Sequence, residues 1–78
     1  MTSPDDDILV DARGHRCPVP TLRLRRALER APTGATVRLL ADDPMSKVDV
    51  PHFAAEAGVE LLGSWSEAAV LTFRLRKR

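Results

Sequence analysis

From residue 18 to residue 31, apolar and charged positions alternate with a helical period. Leu24, Ala27, Leu28 and Ala31 fall at i, i+3, i+4 and i+7 and predict one apolar stripe. Arg23, Arg26 and Arg30 share a different face. Leu22 lies off the stripe and is expected to be partly exposed. Pro32-Thr33-Gly34 marks the helix stop. Before this helix, ILVDA at 8–12 reads as a short strand, with Arg13-Gly14-His15-Arg16 as the loop after it. After it, ATVRLLA at 35–41 reads as a strand with Arg38 directed away from the core. ADDPMSKVDVP is a loop leading into a second helix, with Asp49 as N-cap, Val50-Pro51 in the first turn and Gly58 as the stop. Phe53, Ala54 and Ala57 supply its apolar face. VELLGSW is a third strand and Ser66-Glu67-Ala68 a turn. AVLTFRLRK is a fourth strand, with Leu71, Phe73 and Leu75 on one face and Thr72, Arg74 and Arg76 on the other.

The predicted order is therefore β-α-β-α-β-β. Right-handed crossovers would place both helices on one face of a four-stranded mixed sheet, giving an α+β fold built as a two-layer α/β sandwich. Residues 1–78 form a single domain, with 1–6 and 77–78 expected to fray. The acidic opening MTSPDDD is unlike a secretory signal, and the apolar runs are too short to span a bilayer, so no membrane role is expected. One cysteine excludes an intrachain disulfide, and with only His15 and His52 beside it, a structural metal lacks ligands; no cofactor is expected. An unpaired thiol suits a reducing compartment, which points to the cytoplasm.

Charge changes the picture more than its net value of +1 suggests. Between Ala12 and Leu40 there are seven arginines, at 13, 16, 23, 25, 26, 30 and 38, against the single acid Glu29. This segregation would steer a negatively charged partner toward that part of the chain, although a solvated helix face is an equally good reading.

Within that basic stretch lies GHRCPVP at 14–20, which holds the only cysteine. A helix beginning at Pro18 would put Cys17 at the N-cap and Pro18 at the first helical position. The first-turn amides of Val19 and Thr21 would then face the sulfur, and Pro20 would remove a competing donor. The helix dipole, Arg13 and Arg16 would favour thiolate over thiol. The alternative is an inert, small buried hydrophobe. A protease-like or acyl-transfer role needs a histidine base, and nothing in the sequence brings His15 or His52 to the thiol. A disulfide oxidoreductase needs a resolving cysteine that the chain does not contain. A lone thiolate that accepts and passes on a group requires no further residues, and sulfur is its natural cargo.

VDARGHRCPVP at 10–20 and ADDPMSKVDVPHF at 41–53, continued by Gly58 and Glu60, resemble the motifs of the TusA (SirA-like) family of sulfur carriers. The resemblance runs from about Ile8 to Leu75. It implies a two-layer βαβαββ sandwich similar to the C-terminal domain of translation initiation factor 3. It also implies that Cys17 is the persulfide-carrying cysteine, with Gly14, Arg16, Pro18, Pro20 and Arg13 as the supporting motif. Family members take sulfane sulfur from a cysteine desulfurase or a rhodanese and pass it to an acceptor protein. Their pathways include tRNA 2-thiolation, molybdenum-cofactor biosynthesis and sulfur oxidation. His15 stands where the family usually has an apolar residue, and Val59 where a histidine often follows the glycine; both bear on partner contacts.

The primary expectation is thus a monomeric, cytoplasmic sulfurtransferase of the carrier type. Cys17 is its nucleophile, and Arg23, Arg26 and Arg30 are its docking residues. The rival is a basic RNA-binding module with an incidental thiol, which the scarcity of aromatic residues disfavours. A third reading is a regulatory domain whose thiol senses oxidant. Asp42-Asp43-Pro44 reads as a turn with local side-chain caps. Asp11 reads either as an anchor for the Gly14–Arg16 loop or as a solvated carboxylate. Trp65 reads as a residue at the sheet's rim, and the RLRKR tail as a solvated terminus.

Overall fold

Elements form where the sequence alternates or repeats as predicted, with displaced ends. The computed structural model describes residues 7–16 and 18–78. The chain order is β1 (Ile8–Asp11), α1 (Val19–Arg30), β2 (Thr36–Ala41), α2 (Ser46–Ala57), β3 (Glu60–Glu67) and β4 (Val70–Arg76). The strands lie in the order β1-β2-β4-β3. β1 runs parallel to β2, and β4 is antiparallel to both β2 and β3.

Register fixes which side chains share a face. Val37 pairs with Leu75, Leu39 with Phe73 and Ala41 with Leu71, so the inward rows of β2 and β4 coincide. Onto this face α1 sets Leu24 and Leu28, and α2 sets Val50, Phe53 and Ala54, all in one buried cluster. Both helices therefore cover the same side of the sheet, as expected. Burying a side chain such as Leu24 or Leu39 contributes about 2 kcal/mol, and no disulfide supplements that core.

The opposite face carries Arg38 and Arg74, which are direct cross-strand partners. Two like charges side by side would repel. Asp7 lies over them: its Oδ2 accepts from Arg74 Nε at 2.9 Å and stands 3.6 Å from Arg38 Nη2. The Asp7 side chain is 2% exposed, so the pair is clamped by a buried carboxylate.

Several boundaries differ from expectation. Helix α1 starts at Val19, with Pro18 as its N-cap rather than its first residue. At its other end Pro32 holds Ala31 extended, at ψ 146°, which closes the helix. Helix α2 starts at Ser46, three residues before the predicted cap at Asp49, and Pro51 sits inside it. The true start signal is Asp43-Pro44: Asp43 Oδ1 accepts the Met45 N–H, and the Asp43 carbonyl accepts the Ser46 N–H at 2.9 Å. Gly58, at φ +71°, closes α2 as predicted. Strand β3 runs on to Glu67, past a bulge between Leu61 and Gly63. The hairpin turn therefore moves to Ala68-Ala69, both at positive φ. Finally, Lys77 is not frayed: its N–H donates to the Ala35 carbonyl at 2.9 Å and its Nζ to the Ala31 carbonyl at 2.8 Å. Residues 1–6, also expected to fray, lie outside the described residues.

Candidate functional site

Parallel pairing of β1 and β2 brings their C-terminal ends to one edge of the sheet, where the loops leading into α1 and α2 meet. Sites in sheets with parallel strands favour that edge, because loop backbone and helix N-termini converge there. The pairing extends one step beyond the strands, with the Ala12 N–H donating to the Leu40 carbonyl at 2.8 Å. From Arg13 the chain turns away.

Two carboxylates hold this turn. Asp11 Oδ1 accepts the Arg13 backbone N–H at 3.1 Å and Arg13 Nε at 2.9 Å, while its Oδ2 accepts Arg13 Nη2 at 2.7 Å. These bonds hold the Asp11 carboxyl at a pKa of about 2 and raise that of the Arg13 guanidinium. Neither reading of Asp11 holds as stated: its carboxylate is engaged rather than merely solvated, but it binds Arg13 and not the Gly14–Arg16 backbone. The second carboxylate is Asp42, whose two oxygens lie 3.0 and 2.9 Å from the Gly14 nitrogen and accept its N–H. Gly14 sits at φ +83°, a conformation that side-chain-bearing residues adopt only at a cost.

Arg16 and Pro18 are exposed, and Pro20 is fully buried against the core. Pro20 is therefore buried along with Leu24 and Leu28 of α1 as well as stiffening the first turn. The Val19 amide, expected to be unpaired, instead donates to the Arg16 carbonyl at 3.0 Å. That bond closes the turn between Arg16 and the helix, because a first-turn amide seeks the nearest acceptor. Cys17 itself lies outside the described residues.

Around this edge, Gly14, His15, Arg16, Asp42, Asp43 and Pro44 line a shallow depression of about 220 Å³. A larger one, about 440 Å³, lies toward the C-terminal ends of the helices among Arg25, Glu29, Phe53, Glu56 and Lys77. Neither depression is lined by a thiol or hydroxyl among the described residues; the smaller one is lined by Gly14, His15 and Arg16, the residues that precede Cys17 in the sequence. Arg23, Arg26 and Arg30 are all exposed on α1, and Arg23 Nη1 approaches the Asp11 carbonyl at 3.5 Å. His52 contacts Glu56 at 3.1 Å along α2. Trp65 is half exposed in β3, beside β4.

Sequence reasoning missed Asp42. Asp42-Asp43-Pro44 was expected to be a turn capped locally, and Asp43 does cap locally, but Asp42 reaches a residue 28 positions away. The available signal was an acid immediately following a strand that pairs in parallel with β1.

The architecture is that of a small βαβαββ two-layer sandwich whose parallel strand ends present a glycine-turned loop. The profile described as "Sulfurtransferase TusA" matches residues 8–77. The chain belongs to the TusA family of sulfur carriers. It is 33% identical over 78 residues to "Sulfur carrier protein TusA" of Pseudomonas entomophila (strain L48), covering 100% of this chain and 98% of that protein. Its fold is similar to the crystal structure of a SirA-like protein from Desulfitobacterium hafniense, with a TM-score of 0.78 and 27% sequence identity, covering 88% of this chain and 95% of that one. The RNA-binding alternative finds no support in these comparisons. Among the described residues, no helix is long and apolar enough to cross a membrane.

Proposed function

We propose that the protein is a sulfurtransferase of the carrier type that holds sulfane sulfur as a persulfide on Cys17 and passes it to an acceptor protein. The observation that carries this reading is the family match across residues 8–77, which includes the Cys-Pro-x-Pro motif of the only cysteine. The donor is a cysteine desulfurase or a rhodanese presenting Cys–S–SH. The Cys17 thiolate attacks the outer sulfur, a new S–S bond forms on Cys17, and the donor's S–S bond breaks to release the donor thiolate. An acceptor thiolate repeats the exchange on Cys17–S–SH. Sulfane sulfur keeps its oxidation level throughout, so no external oxidant or reductant enters.

The chain's own residues serve this exchange in separable ways. Arg16, exposed one residue before Cys17 in the sequence, adds positive charge that favours the thiolate. Arg13 is engaged by Asp11 and contributes chiefly loop shape. Pro18 and Pro20 fix the chain's entry into α1. Arg23, Arg26 and Arg30 form an exposed basic face that steers acidic partner surfaces toward the loop. The carrier works as a monomer in the cytoplasm, and its pathways are those of the family: tRNA 2-thiolation, molybdenum-cofactor biosynthesis or sulfur oxidation.

The test uses a cysteine desulfurase charged with radiolabelled cysteine. The wild-type chain is expected to acquire label that a reductant releases, and Cys17→Ser to acquire none. Reversing Arg23, Arg26 and Arg30 to Glu should slow labelling about tenfold or more, with the deficit shrinking as salt rises. Equal labelling of wild type and Cys17→Ser would overturn the reading.

A further inference from the structure

We propose that Asp42 is a positioning residue for the Cys17 loop: its carboxylate, by accepting the Gly14 N–H, ties the loop to the end of β2. This rests on the carrier reading for its role in sulfur transfer, but not for its structural content.

The loop from Arg13 to Arg16 is largely solvent-exposed, and ordering an exposed loop costs conformational entropy that only a tether offsets. Asp11 grips Arg13 from only two residues away, so that contact shapes the loop without placing it. The His15 N–H bond to the Ala12 carbonyl, at 3.3 Å, is equally local. The Asp42 contact differs because it spans 28 residues and joins the loop after β1 to the loop before α2.

Its base is rigid. Ala41, the preceding residue, is fully buried and paired with Leu71, and the following residue, Asp43, is held at the start of α2 by its bond to the Met45 N–H. Gly14 is three residues before Cys17 in the sequence, and the proposed coupling to the thiol runs through that short stretch of chain. A carboxylate acceptor makes the tether stronger than a neutral one.

Asp42 also brings negative charge, which by itself would disfavour a nearby thiolate. Charge and tether therefore predict opposite things, and two substitutions separate them. Asp42→Asn keeps an acceptor and loses the charge, whereas Asp42→Ala loses both.

Three readouts decide the matter: hydrogen exchange at the Gly14 amide, the pH profile of Cys17 alkylation by iodoacetamide, and the rate of sulfur loading from a cysteine desulfurase. In Asp42→Ala, Gly14 exchange should be about tenfold faster, the alkylation profile should move to higher pH, and loading should slow about tenfold. Asp42→Asn should stay within about threefold of wild type on all three. Identical behaviour of the Ala and Asn variants would show that charge, not the tether, is what matters, and would overturn the proposal. So would an unprotected Gly14 amide in the wild-type protein, a result that needs no variant to fold. Exchange and alkylation involve no sulfur donor. If the wild type fails to load while the Ala variant still shifts both, the carrier reading falls and the positioning role stands.

Discussion

At the scale of single residues, Asp11 shows how a strand-end carboxylate becomes part of a site. It binds the backbone and side chain of Arg13 together, and those hydrogen bonds stabilise its ionised form. Its pKa falls from 3.8 to about 2, so its stabilising contribution is complete above 3.8 and fades as pH drops through about 2. A carboxyl-carbon NMR titration should therefore place the Asp11 midpoint near 2, with the Arg13 amide resonance moving alongside. A midpoint at the ordinary value of 3.8, with the Arg13 amide indifferent, would mean that the clamp does not exist in solution. In the proposed function, this engagement leaves Arg16 rather than Arg13 as the cation assigned to favour the thiolate.

At the scale of elements, the turn between β3 and β4 carries visible strain. Ala68 and Ala69 sit at φ 50° and 67°, the positive values that a two-residue hairpin demands and that alanine adopts at a cost. Replacing the pair with Asn-Gly should stabilise the protein by about 1–2 kcal/mol in urea unfolding. An unchanged midpoint would contradict the turn geometry. This hairpin also shows what the sequence conceals. Periodicity gave the order of elements, the inward residues of β4 and the stripe of α1, because burial imposes period directly. It misplaced the turn because alanines advertise no turn, and it started α2 late because Pro51 resembles a first-turn proline. The N-cap is Met45, and the turn that leads into it is closed by Asp43, hidden inside what read as loop. Likewise, the motif around Cys17 was legible as sequence, but the bond from Asp42 to Gly14 depends on strand pairing that no local pattern encodes.

At the scale of the whole molecule, the sheet has one face packed by helices and one face organised by charge. Asp7 bridges Arg38 and Arg74, so Asp7→Ala would leave two neighbouring arginines without their buried counter-charge. The arginine side chains are about one-third exposed, which softens the penalty, and a loss of about 1–3 kcal/mol in urea unfolding is expected. A loss below about 0.5 kcal/mol would show that water serves the arginines as well as Asp7 does. The edge where β1 and β2 end gathers the Arg13–Arg16 loop and the start of α2, while Arg23, Arg26 and Arg30 are exposed on α1. In the proposed function, that division suits a carrier handed from a sulfur donor to an acceptor. The most direct measurement is the intact mass of the protein after incubation with a cysteine desulfurase and cysteine, followed by removal of the enzyme. Wild type should be heavier by one sulfur atom and Cys17→Ser unchanged; a wild-type mass without that increment, or the same increment on both, would contradict the account.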